Sequence, residues 1–105
     1  MIPKDFKKVL ERSLSGRTIK LQNVSDDGFE VVGCIVEVKI EGNELAIKTK
    51  DTRQRYWGAT EFEPYHRNEF CGSLVSVEEV KIEPDGTILL IPWEGFDYVY
   101  ILPQV

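Results

Sequence analysis

Phe29-Glu30-Val31-Val32-Gly33-Cys34-Ile35-Val36-Glu37-Val38-Lys39-Ile40 is the stretch that decides the fold. Apolar residues recur at every second position, so Val32, Cys34, Val36, Val38 and Ile40 share one face of a strand. Phe29, Val31 and Ile35 make its first half apolar on the other face too. The strand is long, and Gly33 in its middle permits a bulge or a sharp bend. A long strand bent at glycine is how small barrels turn their corners.

Toward the N-terminus the same period of two continues. Ile19 and Leu21 alternate with Lys20 and Gln22, and Ser25-Asp26-Asp27-Gly28 closes that strand with a turn. Ahead of it the period is helical. Phe6, Val9, Leu10 and Leu14 fall on one face of a helix expected over residues 3–14, with Pro3 suited to its first turn and Gly16 to its stop. So short a helix is unstable alone, and its apolar stripe must cover the sheet.

Toward the C-terminus, Glu41-Gly42-Asn43-Glu44 reads as a turn and Leu45–Thr49 as a third strand. Residues 51–72 fit neither period and read as a long aromatic-rich loop, which is usually functional or partly ordered. Leu74–Ile82 reads as a fourth strand, bulged at Glu78-Glu79. Glu83-Pro84-Asp85-Gly86 carries the signature of a type I turn. Thr87–Pro92 and Phe96–Leu102 follow as fifth and sixth strands around a turn at Trp93-Glu94-Gly95. Both are apolar on both faces, so both faces need a cover: the helix and the loop, or a second subunit.

The expected fold is therefore mainly β with one N-terminal α-helix, as a small bent antiparallel barrel or curved sheet of five to six strands. With 105 residues the chain is one domain, with the barrel over residues 17–102, and is large enough to bury a core without disulfides. Cys34 and Cys71 form no CxxC pair and read as free thiols. The N-terminal residues lack the apolar run of a signal peptide and no run is long enough to span a bilayer, so a cytoplasmic location and no membrane partner are expected.

Charge is uneven along the chain. The total is −5, yet residues 1–20 hold six basic and two acidic side chains, whereas residues 78–105 hold one basic and six acidic. The net charge opposes non-specific nucleic-acid binding, and the asymmetry reads first as solubility.

Some motifs resemble known families. Leu14-Ser15-Gly16-Arg17-Thr18-Ile19-Lys20-Leu21, then Asp27-Gly28 with Gly33-Cys34-Ile35, then Phe70-Cys71-Gly72-Ser73-Leu74-Val75-Ser76-Val77 resemble, in order, landmarks of the Sm-like family. The resemblance spans about residues 6–77 and implies a helix followed by a bent five-stranded barrel that assembles into rings and binds RNA. Two RNA-contacting positions depart from it: Glu44 separates Asn43 from Leu45, and Cys71 stands where the family has arginine. The hairpin over residues 83–102 has no counterpart, so assembly survives the comparison better than RNA binding. Asn23-Val24-Ser25-Asp26-Asp27-Gly28 fits one element of PilZ cyclic-dinucleotide receptors, but the basic segment that should precede it is missing. Turn chemistry explains those residues better.

The candidate ligand surface is Arg53, Arg55, Tyr56, Trp57, His66 and Arg67, backed by Phe62 and Tyr65. Guanidinium planes beside aromatic rings stack on bases or clamp anions. The same side chains also serve to pack the loop on the barrel, and residues 51–77 are net −1, which favours packing. His66 has Glu61, Glu63 and Glu69 near it, but nothing holds them at metal-ligand spacing, and it has no partner for nucleophilic catalysis. No catalytic residue, metal or cofactor is expected. The functional expectation is a self-associating binding or assembly module with a protein or small-ligand partner. Behind it stand an Sm-like RNA-binding ring protein and a small acidic inhibitor of a basic partner.

Overall fold

The computed structural model describes residues 10, 14–23, 28–94 and 97–103. Eight antiparallel strands form one curved sheet: β1 (Thr18–Asn23), β2 (Phe29–Glu41), β3 (Glu44–Tyr56), β4 (Glu63–Pro64), β5 (Glu69–Ser73), β6 (Glu79–Ile82), β7 (Ile88–Glu94) and β8 (Asp97–Ile101). Their order is β4-β3-β2-β1-β8-β7-β6, with β5 paired to the same edge of β3 as β4. The sheet is open, so the curved-sheet alternative holds and the closed barrel does not. The expected helix lies outside the described residues except for Leu10 and Leu14, both buried in the core. Leu10 itself is helical, and the one complete helical element within the described residues is a single 3-10 turn.

Three boundaries differ from the periodicity reading. The third strand runs on to Tyr56, so the irregular connection begins at Trp57 and is itself interrupted by β4 and β5. Leu74–Ser76 is the 3-10 turn, started by Ser73, whose hydroxyl accepts the Val75 N–H at 3.3 Å. The strand expected over 74–82 is therefore only β6. Trp93, expected in a turn, continues β7 into the core at 3% exposure.

The long β2–β3 hairpin shows how one residue changes which face is inside. Its ladder slips twice, between Val32 and Cys34 and again between Ile35 and Glu37. At the first slip β3 carries the extra residue, with Asp51 in the left-handed region at φ 54°. At the second β2 carries it, at Val36. A one-residue insertion flips every later side chain to the opposite face. Val31 and Ile35 are therefore buried before Val36, while Val38 and Ile40 pack on the core after it. Val32 and Cys34, expected inside, are half-buried on the outer face, and Val36 itself is 47% exposed.

Gly33 sits at the bend, as expected. A Cβ there would stand 3.0 Å from the Thr49 Cβ and 3.1 Å from the Thr52 hydroxyl, which share a buried hydrogen bond of 2.6 Å. Gly33→Val is expected to push that pair apart and lower stability by about 2 kcal/mol. A thermal melt with an unchanged midpoint would show that the bend tolerates a side chain.

The core is contributed by all layers of the curl: Ile19 from β1, Val31 and Ile35 from β2, Leu45 and Ile47 from β3, Phe70 from β5, Leu90 from β7, and Val99 and Ile101 from β8. Arg17 clamps the chain end against the start of β1. Its Nε donates to the Leu102 carbonyl at 2.7 Å, and its Nη2 donates to the carbonyls of Gly86 at 2.7 Å and Ile101 at 3.3 Å. In the β6–β7 turn Asp85 accepts the Thr87 N–H at 2.9 Å, which holds its carboxyl below the ordinary value.

Candidate functional site

The aromatic and basic residues singled out in the sequence do not converge. Arg55, on β3, turns back on the adjacent β2: its Nε and Nη2 donate to one oxygen of Glu30 at 3.3 and 3.2 Å. The Glu30 side chain is only 8% exposed. The other side of the guanidinium lies over the Phe62 ring, 4.7 Å from its centre, and so holds the connection onto the sheet. Trp57 donates its indole N–H to the Asn23 carbonyl at 3.0 Å and lies against Gly28, where even a Cβ would meet its ring. Tyr56 meets Phe29 edge to face at 6.4 Å. Arg53 is exposed on β3 opposite Pro64. Arg53 and Arg55 thus share one face of β3, and Tyr56 points to the opposite face with Phe29. Trp57 follows the strand end, and two of these four, Arg55 and Trp57, already have internal partners.

The remaining two lie near a cleft. It has a volume of about 220 Å³ and opens where β5 crosses the β7–β8–β1 side of the curl. Leu21, Phe29, Val31, Phe70 and Trp93 form its apolar lining, and Tyr65, Arg67, Glu69, Cys71 and Asp97 complete it. Arg67 is the one candidate residue that lines it directly; His66 is exposed and its ring meets that of the lining residue Tyr65 at 4.6 Å, tilted by 50°. The cleft exists because the sheet is not closed by a ladder at this seam. Trp93 instead lies flat on Gly72, so that a Cβ at that glycine would stand 2.5 Å from Cε2 and Cζ2 of the indole.

The polar lining is net acidic, with Glu69 and Asp97 against Arg67. Asp97 is held by the Asn23 amide, which donates to its Oδ1 at 2.6 Å. Partial burial and the neighbouring Glu69 carboxylate push the Cys71 thiol up, with Arg67 opposing them. Cys34 and Cys71 are both free. Among the described residues no group of three His, Cys, Asp or Glu side chains is placed to hold a metal ion, and no helix is long and apolar enough to cross a membrane.

Periodicity could not have found this cleft. Its lining runs from Leu21 to Asp97 over five strands. The local signal nearest to it is the pair of residues that make the seam, a glycine and a tryptophan at Gly72 and Trp93. No family model matches the chain, and no curated protein and no solved structure matches it either.

Proposed function

We propose that this chain is a binding module that holds one small group, apolar on one side and polar on the other, in the cleft between β5 and β7. A single observation carries the reading: an apolar floor that includes Phe29, Phe70 and Trp93, rimmed by Arg67, Glu69 and Asp97. Its open surface is more polar than that of the usual apolar binding hollow, and it is smaller than the usual range for drug-sized ligands. Its occupant has about ten heavy atoms, the size of one aromatic side chain of a partner protein or of a small ring compound.

Indole is a suitable probe. Titrated to millimolar concentration, it is expected to move the amide NMR resonances of Val31, Phe70 and Cys71 and the Trp93 indole signal. Cys71→Trp, which fills the mouth, is expected to abolish those shifts. Shifts confined to Tyr56 and Trp57, or none at all, would overturn the proposal.

Self-association is the second reading, supported by the outer face of the last hairpin. Leu89, Ile91, Tyr98 and Tyr100 point away from the core, and each is only half-buried, with Lys20 lying over the Tyr100 ring at 5.1 Å. An Sm-like RNA-binding ring is not proposed, because Arg17 and Arg55 are both engaged with internal partners.

A further inference from the structure

β6 ends the sheet. It pairs with β7 along one edge, and no described residue pairs with the other. Glu79, Lys81 and Ile82 are exposed, Ile82 at 62%. The Glu83 N–H donates to the Thr87 carbonyl at 2.8 Å, and Lys81 lies opposite Leu89. Hydrogen bonding in an antiparallel pair alternates along the strand, so the N–H and C=O groups of Val80 and Ile82 point outward, away from β7. An open strand edge of this kind is a template for another strand.

We propose that a second copy of this chain adds antiparallel to β6, edge to edge, with the two-fold axis at Val80. The inference rests on the self-association reading above and names its surface. The sequence Glu79-Val80-Lys81 is complementary to itself in this register alone, and the Glu78 N–H, which donates to the Ile91 carbonyl at 3.2 Å, adds no bond to it. Val80 exchanges both backbone hydrogen bonds with Val80 of the second copy. Glu79 then stands opposite Lys81 and Lys81 opposite Glu79, in the non-hydrogen-bonded positions where cross-strand side chains approach most closely.

Other registers fail. Centring on Lys81 sets two lysines against each other and presents inward-pointing amides. Centring on Ile82 brings in Pro84, which has no N–H to give. Within one copy Glu79 and Lys81 already lie 3.7 Å apart, both more than half exposed, so pairing completes a cluster of four alternating charges. Lysine on an edge strand usually blocks association; here the opposite glutamate cancels that block. On the other face Val80 and Ile82 of the two copies form one apolar patch.

Sedimentation velocity over about 5 to 500 µM tests it, since a strand this short supports only a weak dimer. The native chain is expected to pass from monomer to dimer in that range. Lys81→Glu leaves four acidic groups in the contact and Glu79→Lys leaves four basic ones, and each is expected to weaken the dimer about tenfold or more. Mixed together, the two variants are expected to re-form a dimer of native affinity, because each supplies the charges the other lacks. Circular dichroism of each variant alone checks that both are folded.

If the native chain dimerises and neither variant changes it, the β6 proposal is overturned while self-association stands, with the outer face of the last hairpin as its surface. A native chain that stays monomeric at the highest concentration overturns both. Variants that lose the dimer singly but fail to recover it when mixed also overturn the proposed register.

Discussion

Trp93→Ala is expected to lower the stability of the chain by about 4 kcal/mol, in the range measured for removal of a buried aromatic side chain. A domain of this size commonly has about 5–15 kcal/mol in total, so the variant should sit close to unfolding at room temperature. The reason is local geometry rather than size alone. Every neighbouring pair in the sheet order is joined by a backbone ladder, but β5 and β7 are not neighbours in it and meet at a seam without one. It is closed by the Trp93 ring on Gly72 and by the cluster around Phe70, Leu74 and Leu90. Removing the ring loses its contacts and opens the seam to water, with the cleft beside it.

Gly72→Ala attacks the same contact from the other side and should cost about 2 kcal/mol, since its new methyl needs the space of the indole. Because the two residues touch, the double variant should be more stable than the sum of the single losses predicts. Urea unfolding followed by circular dichroism measures all three. A loss below about 1.5 kcal/mol for Trp93→Ala would mean that the seam does not depend on the ring.

The second large effect is expected at Arg55. Arg55→Leu leaves the Glu30 carboxylate buried without its only described charge partner, and should destabilise by about 3 kcal/mol. The Arg55 side chain is about one-third exposed, at 35%, so solvent screening places the cost at the low end of the range for buried pairs. The double variant Glu30→Leu/Arg55→Leu removes both charges, and is expected to recover most of the loss, because a buried ion pair is often no more stable than apolar residues of similar volume. Denaturation of the two single variants and the double variant gives the coupling directly. If Arg55→Leu alone proves neutral, Glu30 has another source of compensation and the pair does not hold the Phe62 connection down.

These two sites differ in how far they could be read from the chain. Arg55 was recognisable as an arginine among aromatic residues, and the packing interpretation of that cluster rests on the same stacking chemistry now found with Phe62. Its ion partner is Glu30, which is adjacent only because β2 and β3 pair in one register. Trp93 was readable as an apolar residue at the turn between the last two strands. That it closes a seam against Gly72, twenty-one positions earlier, was not.

Local chemistry by itself determined β1, β2, the first half of β3 and the two strands of the last hairpin short of Trp93, with the turns at Glu41–Glu44 and Glu83–Gly86 and the bend at Gly33. Alternation, glycine and proline act over a few residues, so they are visible in a few residues. Only the tertiary structure decided which face of β2 lies inside, because the extra residue at Val36 is defined by the strand it fails to pair with. It also decided that the sheet stays open, that five strands share one cleft, and that no described residue pairs with the outer edge of β6. Those are properties of how distant segments meet, and no periodicity within a segment carries them.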